Sequence, residues 1–262
     1  MSGAGLEEKP HLSVVVPAYN EARRLEGPLR TISSHLESQP YDCELVVVDD
    51  GSRDDTFALV RRVGAELGVP LRAFRYEVNR GKGHALKVGF AQARGERILF
   101  TDADLATPIE QLGDLDRALD DGCDIAIGSR KKAGADIRVH QPWYRESMGK
   151  VFTWIVRGLL ADVSDVTCGF KMFRGEVGRS LFAHLRIDGW AFDAELLFLA
   201  ERRGVTIQEV PVRWEDQSGT KVRLLRDVWS SARGIVEILV NQRRGLYEKP
   251  NDPAAALETW ES

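Results

Sequence analysis

The strongest chemical signal in the sequence is Asp102-Ala103-Asp104, which places two carboxylates one residue apart directly after the apolar run Arg97–Thr101. A short run of this kind predicts a buried strand, so both acids leave the end of one strand together. Carboxylate oxygens suit Mg²⁺ or Mn²⁺, which then bridge to substrate phosphates. A solvated turn that caps the next helix is the alternative, but the position after a buried strand favours a metal site.

A second acidic pair, Asp49-Asp50, follows the apolar run Glu44–Val48. Two adjacent carboxylates are unfavourable unless they are solvated or paired. One of them can cap the next helix, and the other can accept hydrogen bonds from a nucleobase or a ribose. The pair therefore indicates a polar ligand or a cation nearby.

Residues 79–83, Asn-Arg-Gly-Lys-Gly, are glycine-rich and basic and lead into a predicted helix. Such a segment suits an anion at the helix N-terminus, and Lys82 is accordingly a candidate contact for an anionic ligand. A flexible basic turn is the alternative. The segment is not a dinucleotide fingerprint, because Leu86 stands where the third glycine belongs, and it lacks the spacing of a P-loop.

Basic residues gather after Ser129, and guanidinium groups among them are suited to bind phosphate through two hydrogen bonds. A solvated basic surface is the alternative. An amphipathic, tryptophan-containing helix predicted over Trp143–Leu160 follows, a combination typical of a membrane-surface element, although its apolar stripe can equally pack into the core. The basic residues are Arg130, Lys131, Lys132, Arg138 and Arg145.

Two further acids, Asp193 and Glu195, fall in the first turn of a helix predicted over Ala191–Arg202. They can act as a general base, position an acceptor, or simply stabilise the helix dipole. The pattern alone leaves these three roles open.

Short apolar strands alternate with helices in the first half of the chain, which predicts an α/β fold with a mostly parallel sheet and helices on both faces. Ligands bind at the carboxyl ends of such strands, where the acidic clusters fall. An amphipathic helix is predicted over Val222–Arg243, and the polar tail after Gly245 is expected to be loose. The predicted strands are 12–16, 44–48, 71–76, 97–101 and 124–128, followed by strand-like segments 165–173 and 205–214.

Composition excludes several classes of protein. The 262 residues carry a net charge of −4, so a generally basic nucleic-acid binder is not expected. Three widely spaced cysteines argue against a disulfide framework. No apolar segment is long enough to span a membrane, and the N-terminus does not read as a signal peptide, so a soluble or peripheral cytoplasmic protein is expected. The charge is divided: residues 1–129 carry −7 and residues 130–245 carry +6.

The order and spacing of these motifs resemble the inverting glycosyltransferases of family 2, which have a Rossmann-like GT-A fold. Within that family the chain is similar to the polyprenyl-phosphate sugar synthases, over about residues 11–225. The motifs that carry the resemblance are Val16-Pro17-Ala18-Tyr19-Asn20-Glu21, Val48-Asp49-Asp50-Gly51-Ser52, Asp102-Ala103-Asp104, Gly128-Ser129-Arg130, Arg145–Gly149, Cys168-Gly169-Phe170-Lys171, Phe192-Asp193-Ala194-Glu195, Val210-Pro211-Val212 and Gly219-Thr220-Lys221-Val222.

The resemblance implies a role for each matched position. The acids Asp102 and Asp104 would hold a Mg²⁺ or Mn²⁺ ion and the diphosphate. Arg130 and Arg145 would align the acceptor phosphate, and Asp193 would help to position the acceptor or the sugar. The nucleotide-sugar site would comprise Pro17, Tyr19, Glu21, Val47, Asp49, Lys82, Asp102, Ala103, Asp104, Arg130 and Lys221.

Two departures bear on the sugar. Ala106 stands where the mannose branch has a glutamine that ligates the metal, and Glu215-Asp216 replaces an arginine that precedes the late lysine. The segment Asp104–Thr107 and the Phe192–Glu195 motif look closer to the glucose branch. UDP-glucose is therefore the favoured donor, and GDP-mannose is the alternative.

The resemblance implies that a polyprenyl or dolichyl phosphate attacks the anomeric carbon in line, at the inner face of a membrane, in cell-envelope or glycan biosynthesis. A transferase for a soluble sugar or glycan hydroxyl, a degenerate nucleotide-sugar-binding module and a nicotinamide dehydrogenase are the competing hypotheses. The expected organisation is a flexible N-terminus (1–10), a nucleotide-sugar half (11–129), an acceptor half (130–225), an amphipathic helix (226–245) and a polar tail (246–262).

Overall fold

The computed structural model describes residues 9–139, 162–215, 224–251 and 257–262. The strands in these ranges are β1 (Leu12–Ala18), β2 (Cys43–Asp49), β3 (Leu71–Arg75), β4 (Arg97–Thr101), β5 (Ile125–Ser129), β6 (Asp136–Val139), β7 (Phe170–Arg174), β8 (Ile207–Pro211), β9 (Arg213–Glu215) and β10 (Glu258–Glu261). The α-helices are α1 (Glu26–Glu37), α2 (Thr56–Gly64), α3 (Lys82–Gln92), α4 (Leu112–Asp120), α5 (Gly175–His184), α6 (Phe192–Arg202) and α7 (Leu224–Arg243).

Eight of the described strands form one sheet, in the order β10-β3-β2-β1-β4-β7-β5-β8. Strands β1 to β4 run parallel to one another, and β5 runs parallel to β8. Strand β7 runs antiparallel between β4 and β5, and β10 is antiparallel to β3. The predicted α/β fold with a mostly parallel sheet is confirmed. Strands β6 and β9 form a separate parallel pair.

Helices cover both faces of this sheet, and the alternation of β1 shows how. Val15 belongs to the apolar cluster beneath α3, α5 and α6, whereas Val14 and Val16 belong to the cluster beneath α1, α2 and α4. Each such side chain is fully buried, a burial that contributes about 1.5–3 kcal/mol per large aliphatic residue. The continuous apolar runs of the sequence are therefore strands buried on two sides.

The expectation of a loose tail after Gly245 is wrong for its last described residues. Glu258–Glu261 pairs with β3 as an edge strand, and Ser262 N donates a hydrogen bond to Leu71 O at 3.0 Å. Trp260 packs so closely on Gly64 that a Cβ there would lie 2.6 Å from its ring. A polar tail with one tryptophan carries a weak strand signal, and the open sheet edge supplies the pairing.

Two later segments also differ from expectation. Of the predicted segment 165–173, only Phe170 onwards is strand, and 205–214 divides into β8 and β9. The helix predicted over Trp143–Leu160 lies outside the described residues. None of the described helices is both long and apolar enough to cross a membrane.

The carboxyl ends of β1, β2 and β4 lie side by side. Ala18 pairs with Asp49 in register, Asp50 N donates to Ala18 O at 2.8 Å, and β4 flanks β1 on its other side. Residues 18–21, 49–52 and 101–105 therefore form one edge of the sheet, called here the acidic rim.

Candidate active site

The loops after β1 and β2 are tied to each other. Asn20 N donates to Ser52 Oγ at 2.9 Å, and Arg53 N donates to Asn20 Oδ1 at 2.8 Å. Asn20 has a φ of 53°, in the left-handed region that few residues other than glycine adopt. Strain of this kind persists where the surrounding structure holds it, often at functional sites.

Asp49 is buried at the rim with an incomplete set of partners. Its Oδ1 accepts a hydrogen bond from Ser52 N at 2.9 Å, whereas Oδ2 is buried without a hydrogen-bond partner among the described residues. Among the described residues, Arg75 is the cation within 4 Å, with its Nε 3.6 Å from Oδ2. Burial raises the pKa of Asp49, and Ser52 and Arg75 only partly oppose that rise. This carboxylate retains capacity for a donor that the described residues do not supply.

The neighbouring Asp50 has a different role. It accepts hydrogen bonds from Tyr76 Oη at 2.7 Å, Asn79 Nδ2 at 2.7 Å, Arg80 N at 2.8 Å and Gly81 N at 2.9 Å. Neither acid of the pair caps α2; instead Asp54 accepts a hydrogen bond from the Thr56 backbone N–H at 3.2 Å. Asp50 therefore holds the loop that precedes α3.

Asp102 and Asp104 stand at the end of β4, as predicted. Asp102 Oδ1 lies 2.5 Å from Lys82 Nζ, and Asp104 Oδ1 accepts a hydrogen bond from Ala106 N at 3.2 Å. Burial, and then the neighbouring Asp102 charge, raise the pKa of Asp104. Leu105, the next residue, has a φ of 49°, so the turn that presents these acids is strained.

The donor set fits a hard divalent cation. Gly169 forms a cradle beside Asp102, because a Cβ at that position would lie 1.9 Å from Asp102 Oδ2. Within the described ranges, no three His, Cys, Asp or Glu side chains converge as a metal cage. Two carboxylates from the protein leave the remaining positions for water or phosphate, which is the usual arrangement for Mg²⁺.

The N-terminus of α3 does not provide the anion site predicted for residues 79–83. Gly83 N and His84 N both donate to Asp188 O, at 2.8 and 3.3 Å. Two backbone donors of the first turn are thus occupied by a carbonyl group, and Gly81 N is occupied by the Asp50 carboxylate. Lys82 nevertheless reaches the acidic rim through its side chain, where the sequence places it.

Arg130 is held in a buried ion pair rather than left open for phosphate. Its Nε and Nη2 each lie 2.7 Å from an oxygen of Asp165, and Nη2 also donates to Thr167 Oγ1 at 3.0 Å. Burial alone would raise the pKa of Asp165, but the Arg130 guanidinium holds this pKa below its ordinary value. These contacts use Nε and Nη2 of the guanidinium, so the phosphate contact of Arg130 stays a prediction, for which Nη1 is the nitrogen that Asp165 and Thr167 do not use.

Asp193 lies beneath the rim and is paired with Lys171, whose Nζ is 2.6 Å from Asp193 Oδ1. Both residues are buried. Burial raises the pKa of Asp193, while Lys171 and Lys82 oppose that rise. Glu195 has a structural role, because it accepts hydrogen bonds from Ile187 N at 2.9 Å and Tyr247 Oη at 2.6 Å.

The remaining predicted residues divide between the rim and the core. Pro17 and Tyr19 are partly exposed at the end of β1, and Ala103 lies between the two acids. Glu21 is an ion-pair partner of Arg24, with Arg24 Nη2 2.7 Å from Glu21 Oε1. Val47 is 1% exposed within the cluster beneath α1 and α2, so its side chain contributes packing. Arg145 and Lys221 lie outside the described residues.

Sequence reasoning assigns no role to Lys171, although this residue lies in a matched motif, and it does not single out Asp165 or Asp188. Lys171 has a usable signal, since it is the single charged residue within the apolar segment Phe170–Phe173. A charged residue in a buried strand is rare unless it is paired. Asp165 and Asp188 lie in loops, and nothing local distinguishes them from solvated acids.

The chain is similar to a known family and to known proteins over most of its length. The family model for glycosyl transferase family 2 matches residues 13–182. The dolichyl-phosphate beta-glucosyltransferase of Drosophila melanogaster is 38% identical over 245 residues, which cover 86% of this chain and 73% of that protein. The human protein of the same name is 34% identical over 227 residues, covering 80% of this chain and 69% of that protein.

A solved structure shares the fold. It is the glucosyl-3-phosphoglycerate synthase of Mycobacterium tuberculosis in complex with Mn²⁺, UDP and glucosyl-3-phosphoglycerate, with a TM-score of 0.60 and 21% identity. The match covers 88% of this chain and 79% of that one. The expected GT-A fold is thus confirmed.

Proposed function

Because this chain belongs to glycosyl transferase family 2, we propose that it transfers glucose from UDP-glucose to a polyprenyl phosphate such as dolichyl phosphate, with inversion. Its class of activity, glycosyl transfer, follows from the family. The relatives that are dolichyl-phosphate beta-glucosyltransferases support glucose and the lipid phosphate. The structural observation that carries the proposal is the acidic rim, where Asp49 at the end of β2 and Asp102 and Asp104 after β4 lie on one edge of the sheet, on either side of β1.

The donor nucleotide is proposed to bind along this rim. The unpartnered Oδ2 of Asp49 would accept a hydrogen bond from the base or the ribose. Pro17 and Tyr19, both partly exposed, would line the same pocket, and Glu21 would border it. Lys82 would contact the diphosphate, which has the charge to attract an ammonium group now held by a carboxylate.

Asp102 and Asp104 are the proposed ligands of a Mg²⁺ or Mn²⁺ ion. When bound there, such an ion neutralises the charge that develops on the departing nucleoside diphosphate. The solved relative that contains both Mn²⁺ and UDP supports this assignment. Gly169 preserves the space beside Asp102 that the site needs.

The acceptor step needs orientation more than a strong base. A phosphate oxygen, already anionic near neutral pH, forms the bond to the anomeric carbon as the bond from that carbon to the diphosphate breaks. The bonding electrons leave with the nucleoside diphosphate. Asp193 is tied to Lys171 and suits a positioning role rather than proton abstraction. Arg130 offers its Nη1 to the acceptor phosphate, while Asp165 fixes the plane of the guanidinium.

Helix α7 offers a surface for the membrane on which the lipid acceptor resides. Val236, Leu239 and Val240 are exposed on one side of the helix, whereas Ile235 and Ile238 pack into the core on the other. Arg233, Arg243 and Arg244 flank the exposed apolar residues. Apolar side chains bordered by arginines are typical of helices that lie on anionic membranes. We propose peripheral docking of this face on the inner face of the membrane.

An organic-phase transfer assay tests the proposal. The full chain is incubated with Mg²⁺, radiolabelled UDP-glucose or GDP-mannose, and either polyprenyl phosphate in anionic vesicles or soluble 3-phosphoglycerate. Labelled glucosyl lipid is the expected product. Label confined to the soluble acceptor would select the competing transferase reaction, and label from GDP-mannose alone would contradict the choice of sugar.

The metal ligands are tested in the same assay. Asp104→Ala is expected to lower the rate about 10³-fold, because it removes charge stabilisation of the leaving group. Asp114→Ala, which removes an acid paired on the surface with Arg117, is the matched control and is expected to keep the wild-type rate. A near-normal rate for Asp104→Ala would remove this residue from the site.

A further inference from the structure

An ammonium group already occupies part of the site that fits the metal. Lys82 Nζ lies 2.5 Å from Asp102 Oδ1 and faces the rings of Phe100, Phe192 and Trp190, whose centroids are 5.6, 5.8 and 6.0 Å away. The side chain is 17% exposed, so solvent reaches its end only in part. One of the two candidate metal ligands is therefore committed to a cation of the protein itself.

The backbone around Lys82 is fixed from two sides. Asp50 accepts hydrogen bonds from Gly81 N, and Asp188 O accepts hydrogen bonds from Gly83 N and His84 N. Gly81 has a φ of 111°, and a Cβ there would lie 2.6 Å from Asp188 O. Only the side chain of Lys82 is thus free to change its position.

The charges around this side chain explain why it rests on the rim. Burial alone would lower the pKa of Lys82, but Asp102, Asp193 and Asp104 together raise it. Lys171, a buried lysine beside the same acids, is already bound to Asp193 and to Cys168 O. Lys82 therefore neutralises the acids of the rim, and a divalent cation placed between Asp102 and Asp104 would meet its positive charge at close range.

We propose that Lys82 is an internal counter-ion that couples metal binding to nucleotide binding. It holds Asp102 while the rim is empty, leaves that carboxylate when a divalent cation binds, and takes the diphosphate as its new anionic partner. The inference rests on the proposed function of the rim as a nucleotide-sugar site. Metal alone must then bind against the ammonium, whereas metal with nucleotide binds with its help, and the coupling is reciprocal.

Mn²⁺ titrations followed by electron paramagnetic resonance of the free ion test this coupling. The full chain is titrated with and without UDP, as wild type and as Lys82→Met, which keeps the length of the side chain and removes its charge. Wild type is expected to bind Mn²⁺ at least tenfold more tightly when UDP is present. Lys82→Met is expected to bind Mn²⁺ alone about tenfold more tightly than wild type. UDP is expected to strengthen Mn²⁺ binding by a smaller factor in this variant than in wild type, because only direct ligation of the ion by phosphate then couples the two.

Two further variants serve as controls. Lys82→Arg retains the charge and is expected to bind Mn²⁺ alone as weakly as wild type does. Lys249→Met removes an exposed charge elsewhere on the chain and is expected to match wild type in both titrations. If net charge alone determined the affinity for Mn²⁺, Lys249→Met would change that affinity as much as Lys82→Met does, and the proposal would be overturned.

The outcomes separate this inference from the proposed function. If wild type binds Mn²⁺ with UDP, but Lys82→Met without UDP has the same or a lower affinity for Mn²⁺ than wild type, the counter-ion role is overturned. The metal site itself then still stands. Absence of Mn²⁺ binding to wild type even with UDP overturns the metal site itself, and the coupling with it.

Discussion

Asp49 and Asp165 are the same residue type at the same burial, each 1% exposed and each facing an arginine, yet the two regions use them in opposite ways. At the rim, Arg75 Nε stays 3.6 Å from Asp49 and one carboxylate oxygen has no hydrogen-bond partner among the described residues. Beyond β5, Arg130 makes two 2.7 Å contacts with Asp165. The pKa is raised for Asp49, chiefly by burial, and lowered for Asp165 by its arginine.

The difference separates a residue kept for a ligand from one kept for the fold. A buried carboxylate without full pairing opposes folding, and a protein retains it where a bound molecule completes the set of partners. A carboxylate that already has its partners gains nothing from a ligand. Buried acids in this molecule are therefore better sorted by their unused hydrogen-bonding capacity than by burial alone.

The largest expected effect is on the ion pair between Arg130 and Asp165. Asp165→Asn is expected to lower the free energy of unfolding by about 3 kcal/mol, because it leaves the Arg130 charge partly buried without a counter-ion. Asp49→Asn is the matched control and is expected to change it by about 1 kcal/mol or less, since no close pair is broken. Urea unfolding of both variants without nucleotide measures this difference, and equal losses would contradict the comparison.

The next largest effect is on UDP binding, where Asp49 is expected to matter more than Asp165. Asp49→Asn is expected to weaken UDP binding about 10- to 100-fold, which corresponds to the loss of one hydrogen bond to a charged group. Asp165→Asn is expected to stay within about threefold of wild type at a temperature where it is folded. Isothermal titration calorimetry in the presence of Mg²⁺ gives both values. If Asp165→Asn weakened UDP binding by the same factor, the Arg130–Asp165 ion pair would also belong to the nucleotide site.

The sequence predicts the acidic rim far better than the region around the Arg130–Asp165 ion pair. Asp49, Asp102 and Asp104 each follow an apolar strand directly, so strand assignment and the geometry of parallel sheets are sufficient to bring them together. Asp165 acquires its role from Arg130, 35 residues earlier, and its N–H donates to Glu209, 44 residues later. Contacts of that range depend on the packed structure and leave no local pattern.

The same distinction explains the outcome for individual residues. Lys82 lies at the rim as the sequence predicts, although the helix N-terminus that suggests it is occupied by Asp188 O. Arg130 is a residue type suited to phosphate, and nothing in the sequence indicates that Asp165 takes two of its nitrogens. Strand β10 escapes prediction because its partner is the exposed edge of β3, more than 180 residues away along the chain.

The smallest effect concerns pH and separates the two carboxylates by sign. Asp165, whose folded pKa is lowered, stabilises the fold above the unfolded pKa of about 3.9, and this contribution is lost as the pH falls towards the folded value. Asp49, whose folded pKa is raised, weakens the fold as the pH rises from about 3.9 through its folded value. The free energy of unfolding of Asp165→Asn should therefore lie below that of wild type by an amount that becomes smaller as the pH falls. For Asp49→Asn, the removal of the ionisable group should raise the free energy of unfolding, and this gain should also become smaller as the pH falls. A tenfold difference in proton affinity between the folded and unfolded states corresponds to about 1.4 kcal/mol. Urea unfolding at several pH values from about 7 to about 2.5 therefore resolves both slopes, that of Asp49 above about pH 3.9 and that of Asp165 below it. Slopes of the same sign would show that Arg75 pairs with Asp49 in solution as Arg130 pairs with Asp165, and the contrast between the two regions would then disappear.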